Sequence, residues 1–411
     1  MARFPLYVIN WGLRVFLSKG RTKVVQKVLA KISNDMDNQN INRTKLVEKL
    51  KIDGATLSRF LKGKYQLTFN KYGEILKEVY PEELRVRREM CKIYSSTLKR
   101  PGNKRIAMYY LLAHGELDLL KELIDKEKNG KYREWAVICD LLYLRYSGKL
   151  SGDKLQDKLN EETSRFKVKT DEMKVLCGIV MLHVRYDQEN YKEMVRLSEE
   201  LIQQTTEIEN AYIKDFLEFK IQEAIIYGLL TCAEIEKARK VCFEIINDEY
   251  SERYFPIFRA TAYGVLGQSY IFTNYTKSLH YLRLALKVID NGPKEQMQKR
   301  KNMILNTIDF LNIHWKVDLH LINPIVKSEK AYLEIQKGNN EKAIAILMEI
   351  LRENGHLDAY ETFYLGVAKG GDKKILSEAL HLFEQSQNIF YSYLPKKYLG
   401  IMSQKCYNLV G

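Results

Sequence analysis

From about Glu82 to the C-terminus, apolar residues recur every three or four positions in one stretch after another, and few breakers interrupt them. The chain has seven prolines in 411 residues. Long runs without proline or glycine favour helix over a strand-rich or loop-rich fold. The spacing predicts helices at 82–97, 104–113, 115–127, 132–147, 152–164, 171–185 and 190–205. It predicts further helices at 208–230, 233–248, 256–273, 276–290, 294–316, 325–337, 340–353, 358–369, 373–388 and 394–408. With 45% hydrophobic residues, the chain can bury the cores of two or three domains.

A repeat lies inside this run. Leu266-Gly267-x-x-Tyr270 is followed by Ser278 and Ala285; Ala331 and Ala343 stand similarly, as do Leu365-Gly366 and Ala379. Ala331 to Gly366 is 35 residues and Ala343 to Ala379 is 36, close to the ~34-residue tetratricopeptide period. Small residues at such positions let paired helices approach closely, and the pairs stack into a superhelix with a concave face. The expected fold is therefore all-α, with degenerate tetratricopeptide-like repeats over 82–393 and a capping or dimerisation helix at 394–411.

The first quarter has a different character. Residues 1–100 hold 22 Lys and Arg against 9 Asp and Glu, whereas the other 311 hold 44 against 43. Nearly all of the net charge of +14 therefore sits in one segment, which points to a polyanionic partner there. Within it, "KVVQKVLAKI" and "NRTKLVEKLKI" read as helices. A break at Asp53-Gly54 follows, then a short helix Ala55–Lys62 closed by Gly63, then "LTFNKYGEILKEVYP". Eight residues do not make a stable helix alone in water. Leu57, Phe60 and Leu61 must anchor it, leaving Thr56, Ser58, Arg59 and Lys62 on the other side. Two helices about a tight turn, with supporting helices, is the layout of a helix-turn-helix over 23–81. Thr56, Ser58, Arg59 and Lys62 would then face a major groove, with Lys64 and Lys71 on the phosphate backbone. A small bundle with a solvated polar face is the alternative.

Other features exclude more than they assign. "FPLYVINWGLRVFL" (Phe4–Leu17) is apolar but too short and too interrupted to span a bilayer, and it lacks a signal-peptide cleavage site. Residues 1–22 are expected to be an N-terminal extension, either ordered or an upstream misread of the start. The six cysteines are scattered and read as buried thiols in a reducing compartment. The seven histidines occur singly, without HExxH, and there is no P-loop, G-x-G-x-x-G or G-x-S-x-G. A cytoplasmic protein with no catalytic residues, no metal and no cofactor is expected.

"GQSYIFTNY" (Gly267–Tyr275) is similar to G-[NQ]-S-x-x-F-[ST]-N-Y, and "FLNIHW" (Phe310–Trp315) to F-L-N-x-x-W. "NIFYSYLP" (Asn388–Pro395) is similar to an acidic-or-amide, x, Phe, then Leu-Pro ending. These patterns belong to the arbitrium peptide receptor (AimR) family of Bacillus phages, within the peptide-sensing helix-turn-helix and tetratricopeptide regulators. The chain resembles that family from about residue 23. The resemblance implies a dimeric transcription regulator that binds operator DNA. Such a regulator loses productive DNA binding when a short signalling peptide fills the repeat groove, shifting a phage towards lysogeny. It implies Gln268, Ile271, Asn312, Glu329, Asn388 and Phe390 as peptide contacts. Amides can pair with an extended peptide backbone, and Ile271 with Phe390 can form an apolar pocket, although both could equally be ordinary core. The chain departs from the pattern at Tyr227 and Thr231, where family members carry polar residues, and at Ile257, where they carry a basic one; Arg259 is near but out of register.

Two other readings stay open. One is a Rap-like protein acting on a response regulator, for which no Gln/acidic catalytic constellation can be located. The other is a scaffold for a protein partner. For the dimer, Leu394, Tyr398, Ile401, Met402 and Leu409 form an apolar stripe on the expected last helix, which a second copy or the last repeat must cover.

Overall fold

The computed structural model describes residues 21–130, 133–290 and 294–401. They form helices and connecting turns, with no strand among the described residues. Two compact units result: one of residues up to Leu111 with Asp118–Arg133, the other of Leu112–Leu117 and Glu134 onward. The extension expected at 1–22 lies outside the described residues, apart from the first residues of the first helix.

The first unit contains α1 (Arg21–Asn38), α2 (Arg43–Leu50), α3 (Gly54–Leu61), α4 (Phe69–Val79) and α5 (Leu84–Ser95). It also holds most of α6 (Pro101–Ala113) and of α7 (Leu117–Glu127). Lys51 ends α2 in the left-handed conformation, and Asp53 then caps α3 by accepting from the Thr56 amide at 2.6 Å. Three residues thus reverse the chain between two helices of eight residues each. Leu57, Phe60 and Leu61 are buried as their spacing predicts, and α3 packs on both α1 and α2. Phe60 meets the edges of Tyr72 and Tyr94, whose rings stack with centroids 4.0 Å apart. The unit extends past Pro81, where the sequence places a domain boundary. The Tyr94 hydroxyl donates to the Leu67 carbonyl at 2.6 Å, and Asn103 accepts from the Phe69 amide at 2.7 Å, tying α5 and α6 to the start of α4.

The second unit begins with α8 (Arg133–Tyr146), α9 (Gly152–Ser164), α10 (Asp171–Asp187), α11 (Tyr191–Thr205) and α12 (Ala211–Thr231). There follow α13 (Ile235–Asn247), α14 (Glu249–Tyr254), α15 (Pro256–Ser269), α16 (Tyr275–Asp290) and α17 (Lys294–His314). The last are α18 (Lys327–Gln336), α19 (Asn340–Asn354), α20 (Ala359–Ala368), α21 (Lys373–Gln385) and α22 (Tyr393–Leu399). From α9 to α13, and again from α15 to α22, each helix packs on the next. Alternate helices also touch: α10 with α12, α13 with α15, and α18 with α20; α12 reaches α15 as well. That pattern is a helical-repeat array with an inner row of helices. The small residues work as the repeat implies. A Cβ on Gly267 would stand 2.7 Å from Leu282, and one on Gly366 would stand 2.9 Å from Leu376. Ala285, Ala331, Ala343 and Ala379 are all buried.

The final helix is shorter than the 394–408 expected. It stops at Gly400, which takes φ 70°. Leu394 is buried within its own chain, so the start of the apolar stripe closes the array rather than offering itself to a partner. Tyr398 and Ile401 are about half exposed, while Met402 and Leu409 lie outside the described residues.

Candidate functional site

The inner helices of the second unit surround a cavity of about 560 Å³. Its wall draws on α8, α10, α12, α15, α17, α18 and α20, with Tyr391 from the segment before α22. The size suits a small ligand, and the lining mixes apolar side chains with a few charges.

One charged group centres on α12. Lys220 is 1% exposed and donates to Glu223 one turn later, while its ammonium lies 4.8 Å above the Tyr146 ring. Glu223 also accepts from the Thr261 hydroxyl at 2.9 Å, and Arg300 donates to that hydroxyl at 2.9 Å with its guanidinium 3.7 Å from the carboxylate. Burial alone would raise the Glu223 carboxyl, but Lys220 and Arg300 outweigh it and hold it down at about 2. His183, buried beside them, shares a 2.9 Å hydrogen bond with the Tyr146 hydroxyl. Burial and then the charges of Lys220 and Arg145 press its imidazolium well below the ordinary histidine range. Arg145 is paired with Asp187, and Lys299 stands exposed on the wall.

The second group is acidic. Glu329, 7% exposed, accepts from the Tyr364 hydroxyl at 3.2 Å through Oε1. Its Oε2 is buried with no hydrogen-bond partner among the described residues. Burial raises this carboxyl to about 8, and the neighbouring Asp309 and Asp358 add to the rise against the Tyr364 bond. Asn306, on the wall between the two groups, likewise has a buried and unpartnered Oδ1.

Of the six contacts that the resemblance implies, Gln268 and Glu329 line the cavity. Gln268 accepts from the Tyr391 hydroxyl at 3.4 Å. The other four are absent from the wall and serve the array itself. Ile271 is fully buried and its carbonyl accepts from Trp315 Nε1 at 2.8 Å; Asn312 accepts from the Tyr275 hydroxyl at 2.9 Å. Asn388 accepts from the Tyr391 amide at 3.4 Å. Phe390 packs on Phe272 while its amide donates to the Thr231 carbonyl at 3.0 Å, fastening the C-terminal segment to the end of α12. Tyr227 and Ile257 do line the cavity, whereas Arg259 turns away to the Ile246 carbonyl and Glu252. Sequence reasoning missed Lys220, Glu223, Asn306 and Arg300. The signal available was a Lys and a Glu at i and i+3 in the middle of a long helix whose other charges, Lys214, Asp215 and Glu218, all stand in its first half.

In the first unit, Ser58 is half-buried, and Arg59, Lys62 and Lys64 are exposed, with Arg59 5.6 Å from the Tyr65 ring centroid. Thr56 is buried instead of facing outward, because its hydroxyl donates to Asp53 at 2.8 Å and completes the cap. Lys71 is half-buried and donates to the Lys51 carbonyl at 3.3 Å, bracing the turn before α3.

Residues 86–400 match the model of the AimR transcriptional regulator-like family. The chain belongs to that family. A relative in Bacillus anthracis, the uncharacterized protein pXO2-35, is 33% identical over 261 residues, covering 64% of this chain and 96% of that protein. The fold is also that of two solved structures. Selenomethionine phAimR has a TM-score of 0.67 at 18% identity, over 94% of this chain and 98% of that one. The phAimR–ligand structure has a TM-score of 0.67 at 19% identity, over 80% of this chain and 96% of that one. Among the described residues no helix is long and apolar enough to cross a membrane, and no group of His, Cys, Asp and Glu could hold a metal ion.

Proposed function

We propose that this AimR-like chain is a peptide-controlled transcription regulator of a phage lysis–lysogeny decision, acting in the bacterial cytoplasm. As a dimer it binds operator DNA through its first unit, and it loses productive binding when a short linear peptide occupies the cavity of the second. The observation that carries this reading is the cavity wall itself: a row of inner helices presenting a buried, unpartnered acceptor at Asn306 and a buried carboxyl oxygen without a partner at Glu329. A buried acceptor without a donor costs about 1–3 kcal/mol, and a peptide backbone with its N–H groups supplies donors along a line. Micromolar affinity takes about 8 kcal/mol, which favours an enclosed site over a surface contact.

For DNA the support is the turn between α2 and α3, the exposed Arg59, Lys62 and Lys64, and the concentration of positive charge before residue 100. Ser58 and Arg59 would read the major groove, with Lys62 and Lys64 on phosphate. Tyr398 and Ile401 are the surface offered for dimerisation. The test combines calorimetry of the full chain with short peptides encoded next to its gene and gel-shift assays on the DNA upstream. Binding of one such peptide, with loss of the DNA complex, is expected. No peptide binding would refute the sensor, and no binding to the upstream DNA would refute the regulator.

A further inference from the structure

Two arginines from different parts of the first unit stand against one exposed tyrosine. The Tyr65 ring, 37% exposed, has the Arg59 guanidinium 5.6 Å and the Arg100 guanidinium 6.0 Å from its centroid. Arg59 belongs to α3, whereas Arg100 ends the turn between α5 and α6, beyond the stretch 23–81 that the sequence marks as a helix-turn-helix. The two segments are stapled together. The Gln66 side-chain amide donates to the Thr97 carbonyl at 3.1 Å, and its oxygen accepts from the Lys99 amide at 3.3 Å. Just behind, the Leu67 carbonyl accepts from the Tyr94 hydroxyl at 2.6 Å and from Asn103 Nδ2 at 2.8 Å. The α5–α6 turn is therefore fixed to the loop that follows α3, and the two present one surface.

That surface is cationic and unneutralised. Arg59, Lys62, Lys64, Lys99 and Arg100 are all exposed, and none makes an ion pair among the described residues. Neither stretch supplies its own counter-charge: no Asp or Glu stands between Gly54 and Gly73 or between Met90 and Gly115. Asp53, whose charge reaches Arg59, accepts from the Thr56 amide and hydroxyl in the cap of α3. On α7, Glu122 and Glu127 pair with Lys92 and Lys104. Five like charges held on one surface repel one another, and a polyanion relieves that repulsion.

We propose that Lys99 and Arg100 form a second phosphate-binding edge beside α3, with Tyr65 positioning Arg59 and Arg100. This rests on the DNA reading above and extends it to a turn outside the helix-turn-helix. The two guanidiniums are no farther apart than the sum of their distances to the shared ring, about 12 Å. A major groove is about 12 Å wide. With Arg59 in the groove, Arg100 reaches the strand at its lip, where it and Lys99 meet phosphates that carry no sequence information.

The test is a salt series. The full-length protein is titrated with a duplex from upstream of its gene and with a duplex of the same composition in scrambled order, from about 50 to 200 mM salt. Lys99→Gln with Arg100→Gln should weaken binding to both duplexes by a similar factor, about tenfold or more. It should also lower the slope of log affinity against log salt by about 2, the counterion release expected from two phosphates. Lys99→Arg with Arg100→Lys keeps both charges and should keep the wild-type slope. Tyr65→Leu should weaken binding about fivefold, whereas Tyr65→Phe, which retains the ring, should bind as wild type does. All three positions are exposed, so none of these changes threatens folding. An unchanged slope in the Lys99→Gln, Arg100→Gln protein, or a loss confined to the upstream duplex, overturns the phosphate edge and leaves DNA binding through α3 standing. Wild-type binding by Tyr65→Leu, or equal weakening by Tyr65→Phe, overturns the role of Tyr65. Binding of neither duplex by wild type overturns the edge and the DNA reading together.

Discussion

Replacing Glu329 by Gln tests the most unusual group in the cavity. In the folded chain this carboxyl is raised from an ordinary value of 4.5 to about 8, first by burial and then by Asp309 and Asp358. The folded state therefore holds a proton that the unfolded state releases once pH exceeds about 4.5. Below that pH both states are protonated and no penalty exists; as pH rises towards 8 the penalty grows, and above 8 it is complete. At about 1.4 kcal/mol per pH unit the full shift is worth roughly 5 kcal/mol, of which about 4 falls between pH 5 and pH 9. Two other groups act with the opposite sign in lower windows. Glu223, held down at about 2, loses its contribution only as pH falls from 4.5, and the depressed His183 makes the fold less stable below the ordinary histidine range. Both are present in wild type and variant and cancel in the difference. Urea unfolding of the second unit's transition at several pH values should show Glu329→Gln gaining on wild type as pH rises from 5 to 9, by a few kcal/mol. A difference that stays flat within about 1 kcal/mol would show that Glu329 is already ionised in the folded protein.

The remaining predictions concern the ligand and the DNA. Around pH 7, a cationic peptide group docking on Glu329 should expel its proton, so the binding enthalpy should depend on buffer ionisation enthalpy by about one proton in wild type and much less in Glu329→Gln; equal slopes would refute the contact. Affinity for the operator should fall steeply with salt, since the basic first unit displaces counterions from several phosphates, and a flat response would remove the electrostatic argument. Arg59→Ala should cost about 1–3 kcal/mol and relax preference at one base pair, whereas Thr56→Val should instead lower stability through the cap; the reverse pattern would mean the wrong face has been assigned to the groove. Placing charges at Tyr398 and Ile401 as Glu should lower the molar mass in light scattering from dimer to monomer, and an unchanged mass would move the dimer surface elsewhere.

The periodicity of the chain carried the fold a long way. Leu57, Phe60 and Leu61 were legible as the anchor of a short helix because an eight-residue helix has no other source of stability, and they are buried. Gly267, Gly366 and the alanines were legible as contact points because only small side chains let paired helices close. The end of the last helix was not legible: the apolar stripe continues past Gly400, and helical periodicity does not report where a left-handed glycine stops the backbone.

The site divides differently. Gln268 and Glu329, taken from the family pattern, do line the cavity, but Ile271, Asn312, Asn388 and Phe390 hold neighbouring helices together, since a motif records that a residue is retained and not which way it points. Thr56 shows the same gap at short range. Its place on the polar side of α3 follows from a helical wheel, whereas its burial follows from Asp53 reaching it three residues back. By itself the sequence determined helix, repeat and charge segregation, because these depend on spacing along the chain. Only the tertiary structure decided that Lys220, Glu223, Thr261 and Arg300, spread over eighty residues and three helices, meet around one cavity. Charges become a site through distance in space and exclusion of water, and neither is written in the order of residues.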